Sequence, residues 1–221
     1  MDLIAIIRSL EELLYEVMGW LIFYPRTLWR IIARPAVMIR YSASEQGDQP
    51  ADRYADALSP PLMLLITVLV THFVAIAIGD KQMAAGPGTL FKSAQNLLLV
   101  RALIVAILPL MFTVLSMRRR RLEIDRTTMR EPFYSQCFLA VPFVLAGQTA
   151  ILIGRHGHDY AWAAALALLL AGLGWFLWAQ TSWITQLEGQ SGPSAFGRAL
   201  LRTLLALLVA LGVAVLIALA A

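Results

Sequence analysis

Arginine is the commonest ionisable side chain in this sequence, and the spacing of the arginines narrows what their chemistry can be. Arg26, Arg30 and Arg34 recur every four residues and would share one face of a helix. Arg118, Arg119, Arg120 and Arg121 form an unbroken run beside an apolar stretch. The first group suits anionic lipid headgroups; the second is most economically a topology signal, with recognition of an anionic lipid as the alternative. Arg101 stands alone within an apolar run. It fits an anionic solute or a charge pair, or a side chain snorkelling outward to lipid phosphates, and its position near the end of the run favours snorkelling. Gln95 and Asn96 stand beside it in sequence. With His72, whose imidazole titrates near neutral pH, they are a candidate intramembrane polar site. No carboxylate lies within the apolar runs to serve as a proton partner for His72.

Arg155, His156, His158 and Asp159 crowd one short turn, but no fourth ligand or fixed helical spacing supports a metal there. The single cysteine, Cys137, excludes an intrachain disulfide and a cysteine-only metal cluster. The sequence has no phosphate-binding glycine loop, no GxSxG elbow and no HExxH pair. No enzyme, cofactor or metal function is expected.

The elements that must position these residues are apolar. Of 221 residues, 59% are hydrophobic and 14% charged, against about 25% charged in a typical soluble domain. The apolar residues gather in runs of roughly twenty, enough to cross a bilayer core of about 30 Å. The fold expected is all-α and polytopic: five transmembrane helices at about 60–79, 96–117, 133–154, 160–179 and 199–221. Residues 1–40 are expected to form two interfacial amphipathic helices, and 41–59 a polar connector. In the first helix, Leu3, Ile6, Leu10, Leu14 and Val17 oppose Glu11, Glu12 and Glu16, a pattern suited to lying along a membrane rather than crossing it. A second short helix would begin at Pro25 and break at Pro35. Pairing of the two would bring Glu12 and Glu16 near Arg26 and Arg30.

The basic residues give an orientation. Six arginines precede the first span, six lie between the second and third, and two precede the fifth, fourteen in all. The opposite connections hold only Lys81, Lys92 and Arg155. The positive-inside rule therefore predicts a cytoplasmic N-terminus and a periplasmic C-terminus in a bacterial inner membrane. Trp162 at one end of the fourth span, and Trp175, Trp178 and Trp183 at the other, suit headgroup belts.

Ala206, Ala210, Ala214 and Ala218 repeat at four-residue spacing in the fifth span, and Ala163, Ala167 and Ala171 do so in the fourth. Small residues at this spacing let helix backbones approach closely in lipid. A contact between the last two helices is the first expectation, and a homo-oligomer face the second. Gln136, Gln148 and Gln180 are expected to make interhelical hydrogen bonds.

The stretch Phe23-Tyr24-Pro25-Arg26-Thr27-Leu28 through Arg34-Pro35, with Ser59-Pro60-Pro61 opening a span, resembles small proteobacterial membrane proteins described as permeases, whose function is unestablished. The layout of an amphipathic lead, five spans and an external C-terminus is similar to that of the Yip family of membrane-trafficking proteins, over residues 60–221 and in topology only. The Asp-Leu-Tyr-Gly-Pro motif of that family is missing here. Neither resemblance implies site residues. The function expected is a permease-like or transport-associated component of the membrane. The alternative is a non-transporting scaffold that binds lipid or a protein through its N-terminal helices. Expected partners are the bilayer, anionic headgroups, and a second copy or another membrane protein, with no nucleic acid.

Overall fold

The computed structural model describes residues 3–47, 53–80, 94–189 and 192–220. Lys81 and Lys92 lie outside the described residues, as does Ala221. Among the described residues there are seven helices and no strand: α1 (Leu3–Ala33), α2 (Pro35–Glu45), α3 (Pro60–Ala77), α4 (Ala94–Arg120), α5 (Arg126–His156), α6 (Ala161–Glu188) and α7 (Gly192–Ala220). The last five are long and apolar enough to cross a membrane, with mean hydropathy between 1.8 and 2.6 over their most apolar windows. This is the polytopic all-α fold expected from the sequence.

Local chemistry explains where these helices begin and end. Ser59-Pro60-Pro61 opens α3 because proline sacrifices only an amide that has no intrahelical acceptor in the first turn. Asp125 caps α5: its carboxylate accepts from the Thr127 amide at 3.5 Å, and its own amide donates to the Thr128 hydroxyl at 3.1 Å. Gly79 closes α3 with φ +78°, which lets the Asp80 amide reach back to the Ala75 carbonyl at 2.9 Å. Gly189 ends α6 in the same left-handed region. Helices α4 to α7 outrun the expected apolar segments by up to nine residues, at the end of α6.

The N-terminal part departs from expectation. Pro25 lies inside α1 rather than starting a second helix. The proline costs the Leu21 carbonyl its usual partner, yet the helix continues because its second half is clamped. The Tyr24 hydroxyl meets Thr67 Oγ1 at 3.1 Å, the Leu58 amide donates to Thr27 Oγ1 at 3.4 Å, and the Trp175 indole donates to the Ile32 carbonyl at 3.1 Å. One continuous helix separates Glu12 from Arg26 by about 21 Å along its axis, so the expected pairing of Glu12 and Glu16 with Arg26 and Arg30 does not form. Arg30 pairs instead with Asp56 at 2.9 Å. The arginine stripe stops there, since Arg34 sits at the break before α2.

The connector is also more structured than its composition suggests. Helix α2 takes up its first part, and Tyr54, Ala57 and Leu58 are buried. Tyr54 stacks on Tyr134 and meets the edge of Phe138, docking the connector against α5. Helix α5 is the hub, in contact with α1, α2, α3, α4 and α6, while α7 packs on α4 and α6. Phe176 stacks on Phe143 at a centroid separation of 5.0 Å and meets Phe112 edge to face at 5.6 Å, joining three helices.

Candidate functional site

Several polar side chains inside the bundle are occupied by hydrogen bonds. Gln136 of α5 and Gln180 of α6 exchange two hydrogen bonds, at 2.6 and 3.1 Å, in the buried core. The hydroxyls of Thr67, Thr71, Thr113 and Thr203 donate to carbonyls one turn back on their own helices. Unsatisfied polar groups are expensive in hydrocarbon, and these glutamines and threonines avoid that cost. Ionic chemistry is left to the two ends of the bundle.

At the arginine-rich end, three helices converge on one carboxylate. Glu188 terminates α6 with its side chain only 2% exposed. Its Oε1 accepts from Arg202 at 2.7 Å and from the Ser116 hydroxyl at 3.2 Å. Its Oε2 faces Arg119 at 3.2 Å and Arg198 at 3.8 Å. Arg119 comes from the last turn of α4, where cations also complement the helix dipole. Arg198 and Arg202 stand one turn apart on α7 and so reach the same point. An open cavity of about 570 Å³ lies against Arg119, Arg120, Leu187 and Glu188. Three guanidiniums around one carboxylate leave the node positively charged, and a site of that kind can hold a phosphate or carboxylate.

At the opposite end, Asp80 is 3% exposed, with His156 Nε2 at 3.1 Å and Arg155 at 3.5 Å. Nearby, Arg101 of α4 donates to His72 Nδ1 of α3 at 3.2 Å. Arginine has no acceptor, so His72 must accept through Nδ1 and carry its proton on Nε2. Arg101 therefore points toward a neighbouring helix instead of snorkelling to the lipid phosphates. Asn96 is exposed, and the side chain of Gln95 lies outside the described part of α4. Among the described residues, no three His, Cys, Asp or Glu side chains come together in a way that could hold a metal.

A third polar cluster ties α1 to the connector. Asp56 accepts from Arg30 and from the Tyr41 hydroxyl, and the Arg30 guanidinium lies 5.1 Å from the centroid of the Tyr41 ring. The Tyr41 hydrogen bond, aided by Arg30, holds the Asp56 carboxyl below its ordinary range. Burial and the adjacent Asp56 push the Tyr41 phenol upward.

Among the remaining sequence candidates, Arg26, Arg34, Arg118, Arg120 and Arg121 are exposed. Arg121 closes α4 with φ +53°. The alanine stripes behave differently from each other. Ala206 is buried, Ala210 and Ala214 are half-buried, and Ala218 is exposed. Ala206 and Ala210 face a groove against α4 and α5 rather than α6. Ala163, Ala167 and Ala171 are exposed. The close approach of α6 uses Gly172 and Ala165, which meet Ala146 and Gly154 of α5. Trp183 is fully buried, so it belongs to the core and not to a headgroup belt.

Sequence reasoning did not find Glu188, Ser116 or Asp80. The signal was present for Glu188: a lone carboxylate followed by Arg198 and Arg202 at one-turn spacing. Asp80 had the weaker signal of an acidic residue directly after a glycine that ends an apolar run. No family model, no curated protein and no solved structure matches the chain.

Proposed function

We propose that the chain is a non-transporting scaffold of a bacterial inner membrane that engages a protein partner through the first half of α1. The observation that carries this reading is the contrast within α1. Its second half is clamped to the bundle, while residues 8–18 are exposed all round. Leu10, Leu14 and Met18 are 54%, 57% and 62% exposed on one side, with Glu11, Glu12 and Glu16 on the other. A free amphipathic helix of this kind suits a groove on another protein, read through apolar anchors one turn apart. Its acidic face favours a basic partner surface over anionic headgroups, which would repel it. The paired Gln136–Gln180 core supports the non-transporting part of the reading. The fourteen-to-three asymmetry in basic residues supports a cytoplasmic N-terminus and a periplasmic C-terminus.

The test is a photo-crosslinking amino acid placed at Leu14, with Leu208 on the exposed face of α7 as control. The scaffold reading expects one discrete protein adduct from position 14 and only lipid adducts from position 208. Lipid adducts alone from position 14 would overturn the partner. Saturable uptake of amino acids, sugars or inorganic phosphate by reconstituted vesicles, above that of empty ones, would restore the permease reading.

A further inference from the structure

Charge is left unbalanced and space left unfilled at the arginine-rich end of α7, and the two features lie on one helix face. Glu188 offers one negative charge to Arg119, Arg198 and Arg202, and Arg120 adds another positive charge at the mouth of the cavity. Arg202 is 5% exposed, and its Nη1 has no hydrogen-bond partner among the described residues. A buried guanidinium nitrogen without an acceptor is costly, and an anion with several oxygens would relieve it. Arg119 keeps part of its guanidinium accessible, with a side-chain exposure of 47%.

One and two turns further along α7 come Ala206 and Ala210, on the same face as Arg202. They line an apolar groove of about 190 Å³ with Ile104 and Leu108 of α4 and Gly147 of α5. A side chain added at Gly147 would meet nothing within 4 Å, so the space is open there. The only polar lining group is Gln148. From Arg202 to Ala210 is about 12 Å along the helix, within the roughly 15 Å depth of one leaflet's hydrocarbon.

We propose that one anionic phospholipid occupies both places, its phosphate on Arg119 and Arg202 and one acyl chain in the groove beside Ala206 and Ala210. Charge complementarity selects the phosphate, and the groove selects a lipid over a free anion. The site does not depend on the scaffold reading, because it requires neither α1 nor a protein partner.

Native mass spectrometry of the full chain from neutral detergent tests it, with phosphatidylglycerol, phosphatidylcholine and inorganic phosphate as probes. Phosphatidylglycerol should be retained in one copy, and phosphatidylcholine about tenfold more weakly. Arg119→Gln removes charged hydrogen bonds and should weaken phosphatidylglycerol about tenfold. Ala210→Leu fills the groove and should weaken it while leaving the response to inorganic phosphate unchanged. Arg120→Gln serves in place of Arg119→Gln if that variant fails to fold. Retention by Arg119→Gln equal to wild type would overturn the phosphate site. Retention by Ala210→Leu equal to wild type would overturn the chain site. Displacement of the lipid by equimolar inorganic phosphate would make the node a free-anion site and overturn the lipid.

Discussion

Each end of the bundle buries a carboxylate, and the two do so with different partners. At the arginine-rich end, Glu188 is bracketed by cations from α4 and α7, one of which, Arg202, is itself buried. At the other end, Asp80 lies under the closing turn of α3 and is met from α5 by Arg155 and His156, which are 42% and 39% exposed. The first arrangement joins three helices through a buried carboxylate and a buried cation, Arg202, that cannot return to water. In the second, both cations can be solvated without moving far. A buried ion pair gains strength from low dielectric but penalises the loss of either partner, because the survivor is stranded. The chain thus has one stiff ionic joint and one forgiving one.

Removing the carboxylate from each joint should expose that difference. Glu188→Gln leaves Arg202 buried without its counter-charge and should cost about 3–5 kcal/mol, read as a large drop in melting temperature of the detergent-solubilised protein. Asp80→Asn leaves Arg155 and His156 free to meet solvent and should cost about 1 kcal/mol or less. Equal losses in the two variants would mean that the ends are equivalent and that helix packing, not charge, sets both.

Between the ends, packing decides. A methyl group at Gly172 would fall 2.6 Å from the Ala146 Cβ, which has no rotamer to move away. Gly172→Ala should therefore cost about 1–3 kcal/mol through overpacking of α5 against α6. Ala167→Leu, on the exposed face of the same helix, should leave the melting temperature unchanged. The reverse ranking would put the expected alanine stripe back at the helix contact.

These contrasts also mark how far the sequence could be read. Five apolar runs of about twenty residues announce five helices, because little else satisfies a backbone in hydrocarbon. The extensions beyond those runs are not legible in the same way. Residues 180–188 contain Gln180, Thr181, Ser182 and Thr185, which look like a loop by composition, yet they are helix, with Trp183 and Ile184 buried in the core and Gln180 and Glu188 paired to Gln136 and Arg202. Spacing identified small residues in α6 but not which set touches a neighbour. Gly154 and Gly172 of α5 and α6 decide that, through contacts with Ala165 and Ala146. Pro25 suggested a helix start, and the clamps that carry the helix through it join residues 31 to 143 positions apart. His72 and Arg101 were both legible as polar intrusions, but their mutual hydrogen bond depends on how α3 and α4 rotate about their axes, which periodicity does not give.

The smallest predicted effect belongs to Asp56, a carboxylate that ties the connector to α1. Unlike Glu188, it is about half exposed, so solvent screens its pairing with Arg30. The Tyr41 hydroxyl and Arg30 hold its folded carboxyl below the ordinary value of 3.8. A group depressed in this way favours the folded state while it is ionised in both states. That contribution is complete well above 3.8 and is lost as pH falls from about 5 downward, through the ordinary value and then the folded one. Its size should be only a few tenths of a kcal/mol, about the lower range for exposed pairs. The measurement is accessibility of a cysteine introduced at Ser44, near the end of α2, as pH is lowered from 7 to 4. Labelling, expressed relative to the same cysteine in the denaturant-unfolded chain at each pH so that loss of thiolate cancels, should rise modestly in the otherwise native chain and stay flat when Asp56→Asn is added, because that variant has already lost the titrating contact. A rise of the same size in the Asp56→Asn background would assign the acid sensitivity to other carboxylates. The contrast between a buried, stiff Glu188 joint and a screened Asp56 tether would then lose its exposed member.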